Sequence, residues 1–227
     1  MIVRRRAAFL SVIVTLLTLS MPALAAKKGS GHGPRLVFLN AELGPQYVGL
    51  HTLKKSKCGT TNVDCGLVDD TRVKTKDLGI MYGAGLGVQL LAFTLGARFR
   101  YGNFADWQLW TFGAEAGMRF PLANFEPYFT IGVGYASLGG IHSDFASVDI
   151  NGLNLRGSAG LDYYLSNTLS VGANVSGDVL FLNRKGDGEL RLLTTDPDRR
   201  TKDWVYGFDG SGTGLGGALS LVLGLHW

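Results

Sequence analysis

The last nine residues constrain the fold more than any other part of the chain. Large apolar residues alternate there with smaller or polar ones, and the apolar positions are Leu219, Leu221, Leu223, Leu225 and Trp227. Because successive side chains of a β-strand point to opposite faces, this period of two places an unbroken apolar stripe on one face. A soluble sandwich would turn the stripe inward, whereas a membrane-spanning barrel turns it outward to lipid.

The beginning of the chain predicts export. Three arginines at positions 4–6 precede an apolar run from Ala7 to Leu19, and Ala23-Leu24-Ala25 supplies an A-x-A cleavage motif. The run is shorter than the roughly 20 residues that a transmembrane helix needs. We therefore predict a signal peptide over residues 1–25, a disordered linker over 26–35 and one barrel domain over 36–227. Cleavage of the signal peptide would remove the three arginines and leave 19 basic and 18 acidic residues. The net charge of the mature chain therefore gives no indication of nucleic-acid binding.

The same period of two recurs along the chain in segments that approach the ~10 residues of a tilted spanning strand. The 33 glycines also disfavour a helical bundle, because a glycine inside a helix costs about 1 kcal/mol relative to alanine. Residues 189–194 and 204–208 could pair as an additional hairpin, which would give ten strands. We prefer eight, at about Val37–Thr52, Leu78–Leu90, Phe93–Tyr101, Trp110–Phe120, Phe129–Ala136, Leu153–Tyr163, Leu169–Val179 and Leu219–Trp227.

Turns and strand ends add detail to this prediction. Pro45 cannot donate a hydrogen bond to a neighbouring strand, so we expect a bulge there. The connections after the second, fourth and sixth strands are short, and those at 53–76 and 183–211 are long. Aromatic residues near strand ends are expected to form two girdles at the lipid interfaces. They are Tyr47, Trp107, Trp110, Phe120, Phe129, Tyr163 and Trp227.

With its export signal, eight alternating segments and terminal aromatic residue, the chain resembles the small bacterial outer-membrane β-barrel family, which includes the transmembrane domain of OmpA-type proteins. The resemblance implies an all-β fold: a single eight-stranded, antiparallel, up-and-down transmembrane barrel in a Gram-negative outer membrane. Both chain ends and the linker over residues 26–35 would then lie in the periplasm. Unlike two-domain OmpA-type proteins, the chain is expected to carry no peptidoglycan-binding domain. The implied partners are outer-membrane lipids, lipopolysaccharide and the barrel-assembly machinery. The machinery would recognise the apolar stripe at the end of the chain. The protein is expected to be a monomer.

The polar face of the strands predicts a charged interior. An eight-stranded barrel is only just wide enough for side chains to fill it, so charges held there must pair. Two interpretations follow: a closed, salt-bridged plug, or a gated narrow pore whose arginines exchange carboxylate partners. The predicted interior charges are Glu42, Arg98, Arg100, Glu115, Arg119, Arg156, Asp162 and Asp178.

Cys58 and Cys65 are the only cysteines of the chain. In an exported protein, two cysteines this close in sequence predict a disulfide. This disulfide would close a short loop within the first long connection. A zinc site is disfavoured, because two thiols without nearby histidines would leave the coordination incomplete. The sequence therefore predicts a stapled loop rather than a metal centre.

Candidate catalytic residues are few. His142, Ser143 and Asp144 share only the composition of a triad, and His226 has no nucleophile near it in the sequence. Gly83, Gly85 and Gly87 are spaced like part of a dinucleotide fingerprint, but no helix follows them. We predict no enzyme activity, cofactor or metal.

The function we expect is a structural or surface-interaction scaffold that presents its long extracellular loops to a ligand. A narrow porin-like channel is the alternative, and a lipid A-modifying enzyme is the third candidate. The basic runs at 54–57 and 199–202 would suit lipopolysaccharide phosphates.

Overall fold

The computed structural model describes residues 36–51, 75–139, 149–186 and 209–227. Eight strands lie within those ranges, as predicted, and the two segments considered for a ninth and tenth strand lie outside them. The strands are β1 (Val37–Leu50), β2 (Lys76–Leu90), β3 (Phe93–Asn103), β4 (Gln108–Arg119), β5 (Phe125–Gly139), β6 (Ile150–Tyr164), β7 (Leu169–Arg184) and β8 (Gly210–His226).

The strands form one closed antiparallel barrel in chain order. Each strand pairs with its neighbours in sequence, and β8 closes the barrel by pairing with β1. The carbonyl of Trp227 also accepts hydrogen bonds from the backbone N–H groups of Leu36 and Val37. Closure leaves none of the eight described strands at an open edge of the sheet, which is the condition for a sheet to stand in lipid.

The alternation read from the sequence separates an apolar outside from a packed inside. Outward side chains remain strongly exposed, for example Leu86, Ile131 and Leu221 at 61%, 69% and 73%. Inward side chains of the same strands are buried. A surface that is apolar all round and an interior that is polar through much of its length are typical of transmembrane barrels.

Short turns gather at one end of the barrel, which we call the turn end. They lie between β2 and β3, β4 and β5, and β6 and β7, and the first consists of Leu91 and Ala92. The opposite end, the loop end, carries the four remaining connections. Strand β5 begins at Phe125, before the predicted start at about Phe129. Pro127 therefore lies inside the strand, where its carbonyl accepts from the N–H of Phe120.

The predicted bulge at Pro45 is wrong. The register between β1 and β2 runs without a shift from Val37 to Gly49. Against β8, the pairs Leu43–Leu221 and Gln46–Ala218 belong to the same register, and only the pairs at Gly44 and Pro45 are missing. Pro45 therefore interrupts the pairing of β1 with β8 locally, but it does not insert an extra residue into β1.

Among the described residues, no helix is long and apolar enough to cross a membrane.

Candidate functional site in the barrel interior

Six of the predicted interior charges meet in the middle of the barrel and form the central cluster. Arg98 binds Glu115 through two hydrogen bonds of 2.6 and 2.7 Å. Arg100 binds Glu42 in the same bidentate way, at 2.5 and 2.8 Å. Such paired bonds between a guanidinium and a carboxylate are among the strongest polar contacts in proteins. The members of the central cluster are Glu42, Arg98, Arg100, Glu115, Arg156 and Asp178.

The carboxylates also connect these pairs to one another. Glu42 Oε1 lies 3.2 Å from Arg98 Nη1, so this carboxylate touches two arginines. Asp178 accepts from Arg156 Nε at 2.8 Å, and its other oxygen lies 4.0 Å from Arg100 Nη1. Three guanidinium groups and three carboxylates therefore form one neutral, buried network.

Glycines in β2 explain how the central cluster is assembled from the sequence. Gly83 pairs with Glu42 on one side and with Arg100 on the other. A Cβ atom at Gly83 would lie 2.5 Å from Glu42 Cγ, so any larger residue would occupy the space through which this carboxylate reaches Arg100. A cavity of about 20 Å³ lies beside the cluster, lined partly by Gly113 and Gly134, and it has room for about one water molecule.

A second group of charges lies nearer the turn end, and we call it the turn-end cluster: Arg119, Glu126 and Asp162. Arg119 Nη1 donates to Glu126 Oε1 at 2.9 Å and to Asp162 Oδ2 at 2.8 Å. The guanidinium also lies over the rings of Tyr128 and Phe38, 4.6 and 5.5 Å from their centroids. Both cation–π contacts and charge-assisted hydrogen bonds hold this arginine in place.

His226 and Ser170 form a buried pair at the turn end. His226 Nε2 lies 3.0 Å from Ser170 Oγ, and the histidine ring packs against Tyr164 with the centroids 5.0 Å apart. The nucleophile that the sequence did not place near His226 therefore comes from β7. However, Ser170 and His226 are 0% and 1% exposed, so a substrate has no surface from which to reach them.

Apolar side chains fill most of the interior near the loop end, where Arg184 is also buried, and we call this apolar set the apolar layer. It includes Trp107, which is 2% exposed, so its predicted place in a lipid-facing girdle is wrong. The ring of Trp107 stacks on Phe104 at 3.9 Å. The layer consists of Val48, Leu50, Met81, Phe104, Trp107, Leu109, Leu138, Ile150, Leu180 and Leu182.

The short connection between β3 and β4 folds these two aromatic rings inward. The N–H of Phe104 donates to the carbonyl of Trp107 at 3.0 Å, which closes the connection on itself. Asp77 on β2 accepts from the N–H of Ala105 at 2.9 Å. Gly79 leaves space for the inward ring, because a Cβ atom there would lie 2.7 Å from Phe104 Cδ1.

Comparison with known proteins identifies this architecture. A model of the outer membrane protein beta-barrel domain family matches residues 11–189. The chain belongs to this family. A comparison with curated protein sequences gives no match.

One solved structure agrees with the fold of this outer-membrane barrel, and two others match it with lower scores. Neisserial surface protein A is 10% identical, with a TM-score of 0.56 over 88% of this chain and 100% of that chain. Ail of Yersinia pestis is 12% identical, with a TM-score of 0.43 over 84% and 98%. The N-terminal barrel of Pseudomonas aeruginosa OprF is 15% identical, with a TM-score of 0.37 over 80% and 96%. At 10% identity, the likeness to Neisserial surface protein A supports only the barrel fold.

The structure places all eight predicted interior charges inside the outer-membrane barrel, in the two clusters described above; seven are fully buried, and Arg156 is 9% exposed and bound to Asp178. The terminal stripe from Leu219 to Trp227 faces outward, and Cys58 and Cys65 lie outside the described residues. Sequence reasoning missed Glu126, because the fifth strand was expected to begin only at about Phe129, whereas β5 begins at Phe125. No group of three or more His, Cys, Asp or Glu side chains suited to a metal occurs within the described ranges.

Proposed function

We propose that this outer-membrane barrel is a non-conducting, non-enzymatic scaffold that presents its long loop-end connections for surface interaction. The observation that carries the proposal is the interior itself. The neutral central cluster crosses the lumen, and the apolar layer lies between it and the loop end. Water and ions would have to pass two barriers of different chemistry in series.

The proposal includes an orientation and a location. In barrels of this membrane the short turns face the periplasm and the longer loops face outward. The turn end would then be periplasmic and the loop end extracellular, after cleavage of a signal peptide over residues 1–25. The apolar stripe of β8, which ends at Trp227, would be the segment read by the assembly machinery.

A narrow channel is the second candidate, and one feature favours it. Glu42 contacts both Arg98 and Arg100, while Asp178 lies between Arg156 and Arg100. Carboxylates that already touch two arginines could exchange partners with little movement, which would open a polar path. The apolar layer opposes this function, because ion entry would require it to be wetted or displaced.

Conductance separates the two functions. We expect the refolded mature protein to give no discrete current steps in a planar bilayer. Trp107→Ala should remain silent as well, because it thins the apolar layer but leaves the central cluster intact. Steps in the unmodified protein that change size in Glu115→Gln would establish a pore and contradict the scaffold proposal, provided that circular dichroism shows both proteins folded.

The role of the last connection can be tested by shortening it. Gly186 N donates to Asp209 Oδ1 at 2.8 Å, so the ends of the connection already lie side by side. Replacing residues 187–208 with an Asn-Gly turn should therefore leave the thermal midpoint of the barrel nearly unchanged. We expect the same change to weaken binding to purified lipopolysaccharide, because Arg199, Arg200 and Lys202 are removed.

Two outcomes decide the loop prediction. Equal lipopolysaccharide binding by the shortened and full-length proteins would contradict a recognition role for this connection. The matched control replaces only Arg199, Arg200 and Lys202 with glutamine, which keeps the loop length. If that variant binds as weakly as the shortened protein, the basic residues rather than the loop backbone carry the interaction.

A further inference from the structure

Each of the three short turns at the turn end exposes a leucine. Leu91, Leu122 and Leu165 are 93%, 62% and 57% exposed, and we call these three residues the leucine crown. The structure describes all three turns in full, and none of their residues is charged. Turns that face water are usually built from glycine, proline, asparagine, aspartate or serine. A large apolar side chain exposed in every turn therefore indicates a contact with something apolar outside the barrel.

The backbone of Leu91 strengthens this indication. Its φ is 57°, in the left-handed region that glycine and asparagine adopt more readily than other residues. Leucine is disfavoured there, and a residue that is 93% exposed gains little from packing within the protein. A favourable contact outside the barrel would account for leucine at this position.

The apolar outer surface has a polar boundary at one end of the barrel only. At the loop end, the outward face of the strands finishes in exposed polar residues, such as Lys76, Asn103, Gln108, Asn151 and Asn183. Toward the turn end, the outward face of the eight described strands stays apolar or aromatic and continues into the leucine crown. The outward residues near that end include Leu90, Phe93, Phe120, Phe125, Tyr163 and Trp227. The leucine crown is therefore continuous with the lipid-facing surface.

Backbone hydrogen bonds at the turn end suit a lipid environment. Each of the three turns offers a carbonyl to the N–H of the next hairpin around the barrel, at 2.7, 2.9 and 2.9 Å. The side chain of Gln89 also donates to the carbonyl of Leu91, at 3.2 Å. Polar backbone groups can stand in lipid only where other protein groups bond them. The three bonds between hairpins run from Arg119 N to Ala92 O, from Tyr164 N to Asn124 O, and from His226 N to Thr168 O.

We propose that the leucine crown inserts into the membrane leaflet at the turn end and contacts phospholipid acyl chains. The turns would then lie in lipid instead of projecting into water, and they would set the depth at which the barrel stands. A soluble partner would need an apolar surface separated from the lipid-facing one by a polar boundary, and the described strands carry such a boundary only at the loop end. The inference rests on the barrel standing in a membrane and not on its scaffold role. Under the orientation proposed above, this leaflet is the periplasmic one.

Site-directed spin labelling measures the environment of the leucine crown. Each of its three residues is replaced in turn by a spin-labelled cysteine, in mature protein that carries Cys58→Ser and Cys65→Ser and is folded in phosphatidylcholine vesicles. We expect all three labels to collide more often with oxygen, which concentrates in lipid, than with a water-soluble nickel chelate present on both sides. A label at Asn151→Cys, in the polar boundary at the loop end, is the matched control and should collide more often with the chelate.

Two results of the labelling experiment would overturn the proposal. More collisions with the chelate than with oxygen at the leucine crown would show that the turns face water and are open to a soluble partner. Few collisions with either reagent would show that protein covers the crown, and in a purified sample that protein is a second copy of this chain.

The stability of Leu91→Asn has opposite signs in the two environments. Asparagine suits a φ of 57° better than leucine does, so in water the substitution should raise the urea midpoint of unfolding. In lipid a polar amide replaces an apolar contact, and we expect the midpoint in the same vesicles to fall by about 0.5 M. Leu91→Met keeps an apolar side chain and should leave the midpoint nearly unchanged. A midpoint for Leu91→Asn equal to or above that of the unmodified protein would contradict insertion of the crown into lipid.

Discussion

Replacing Glu42 with alanine is expected to destabilise the folded barrel by about 3–5 kcal/mol. This carboxylate accepts both hydrogen bonds from Arg100 and lies 3.2 Å from Arg98. Arg98 keeps Glu115, but Arg100 keeps only Ser176 and a carboxylate oxygen of Asp178 at 4.0 Å. The main cost is therefore a buried guanidinium that has lost its partner. Equilibrium urea unfolding in lipid, followed by tryptophan fluorescence, measures the change.

Two further variants identify the cause. Ser220→Ala removes a hydroxyl that donates to Glu42 at 3.3 Å, and should cost no more than about 1 kcal/mol. The double variant Glu42→Leu with Arg100→Met removes both charges and leaves two arginines matched by two carboxylates in the central cluster. We expect it to recover most of the lost stability, since replacing a buried ion pair by apolar residues is often neutral or better. A double variant as unstable as Glu42→Ala would show that packing, not unpaired charge, explains the loss.

The sequence was sufficient to predict the barrel and much of its charged interior, because a period of two assigns every residue of a strand to one of two faces. Once Glu42 or Arg98 is placed inward, the other inward positions of that strand follow. Which arginine meets which carboxylate depends on the register between strands, and alternation within one strand does not contain that information. Gly83, for example, brings Glu42 and Arg100 together only because both pair with it.

Strand ends at the loop end were predicted less well for a physical reason. Most inward residues there belong to the apolar layer, so in a strand such as β7 both faces are apolar from Val179 to Leu182 and the alternation disappears from the sequence. The seventh strand was expected to end near Val179, yet β7 continues to Arg184 through the inward Leu180 and Leu182. Trp107 was assigned to a girdle for a related reason, since an aromatic residue near a strand end gives no indication of its direction.

Glycine substitutions in β6 are expected to have opposite effects on stability, depending on the space at each position. Gly152 lies where β6 and β7 approach closely, and a Cβ atom there would overlap the carbonyl oxygen of Phe181 and lie 3.0 Å from Leu182 Cα. Because these are backbone atoms, a side chain cannot turn away to relieve the overlap. We expect Gly152→Ala to destabilise the barrel by about 3 kcal/mol, measured by the same urea unfolding.

Gly157 provides the matched control on the same strand. No atom would lie within 4 Å of a Cβ atom at this outward position, and alanine restricts the unfolded chain more than glycine does. Gly157→Ala should therefore stabilise the barrel by about 0.4–1 kcal/mol. If the two alanine variants changed stability in the same direction and by similar amounts, the close approach of β6 and β7 would not be the reason for glycine at position 152. Opposite signs would instead show that the narrow barrel depends on backbone contact at particular glycines, and that its many other glycines are not equivalent to them.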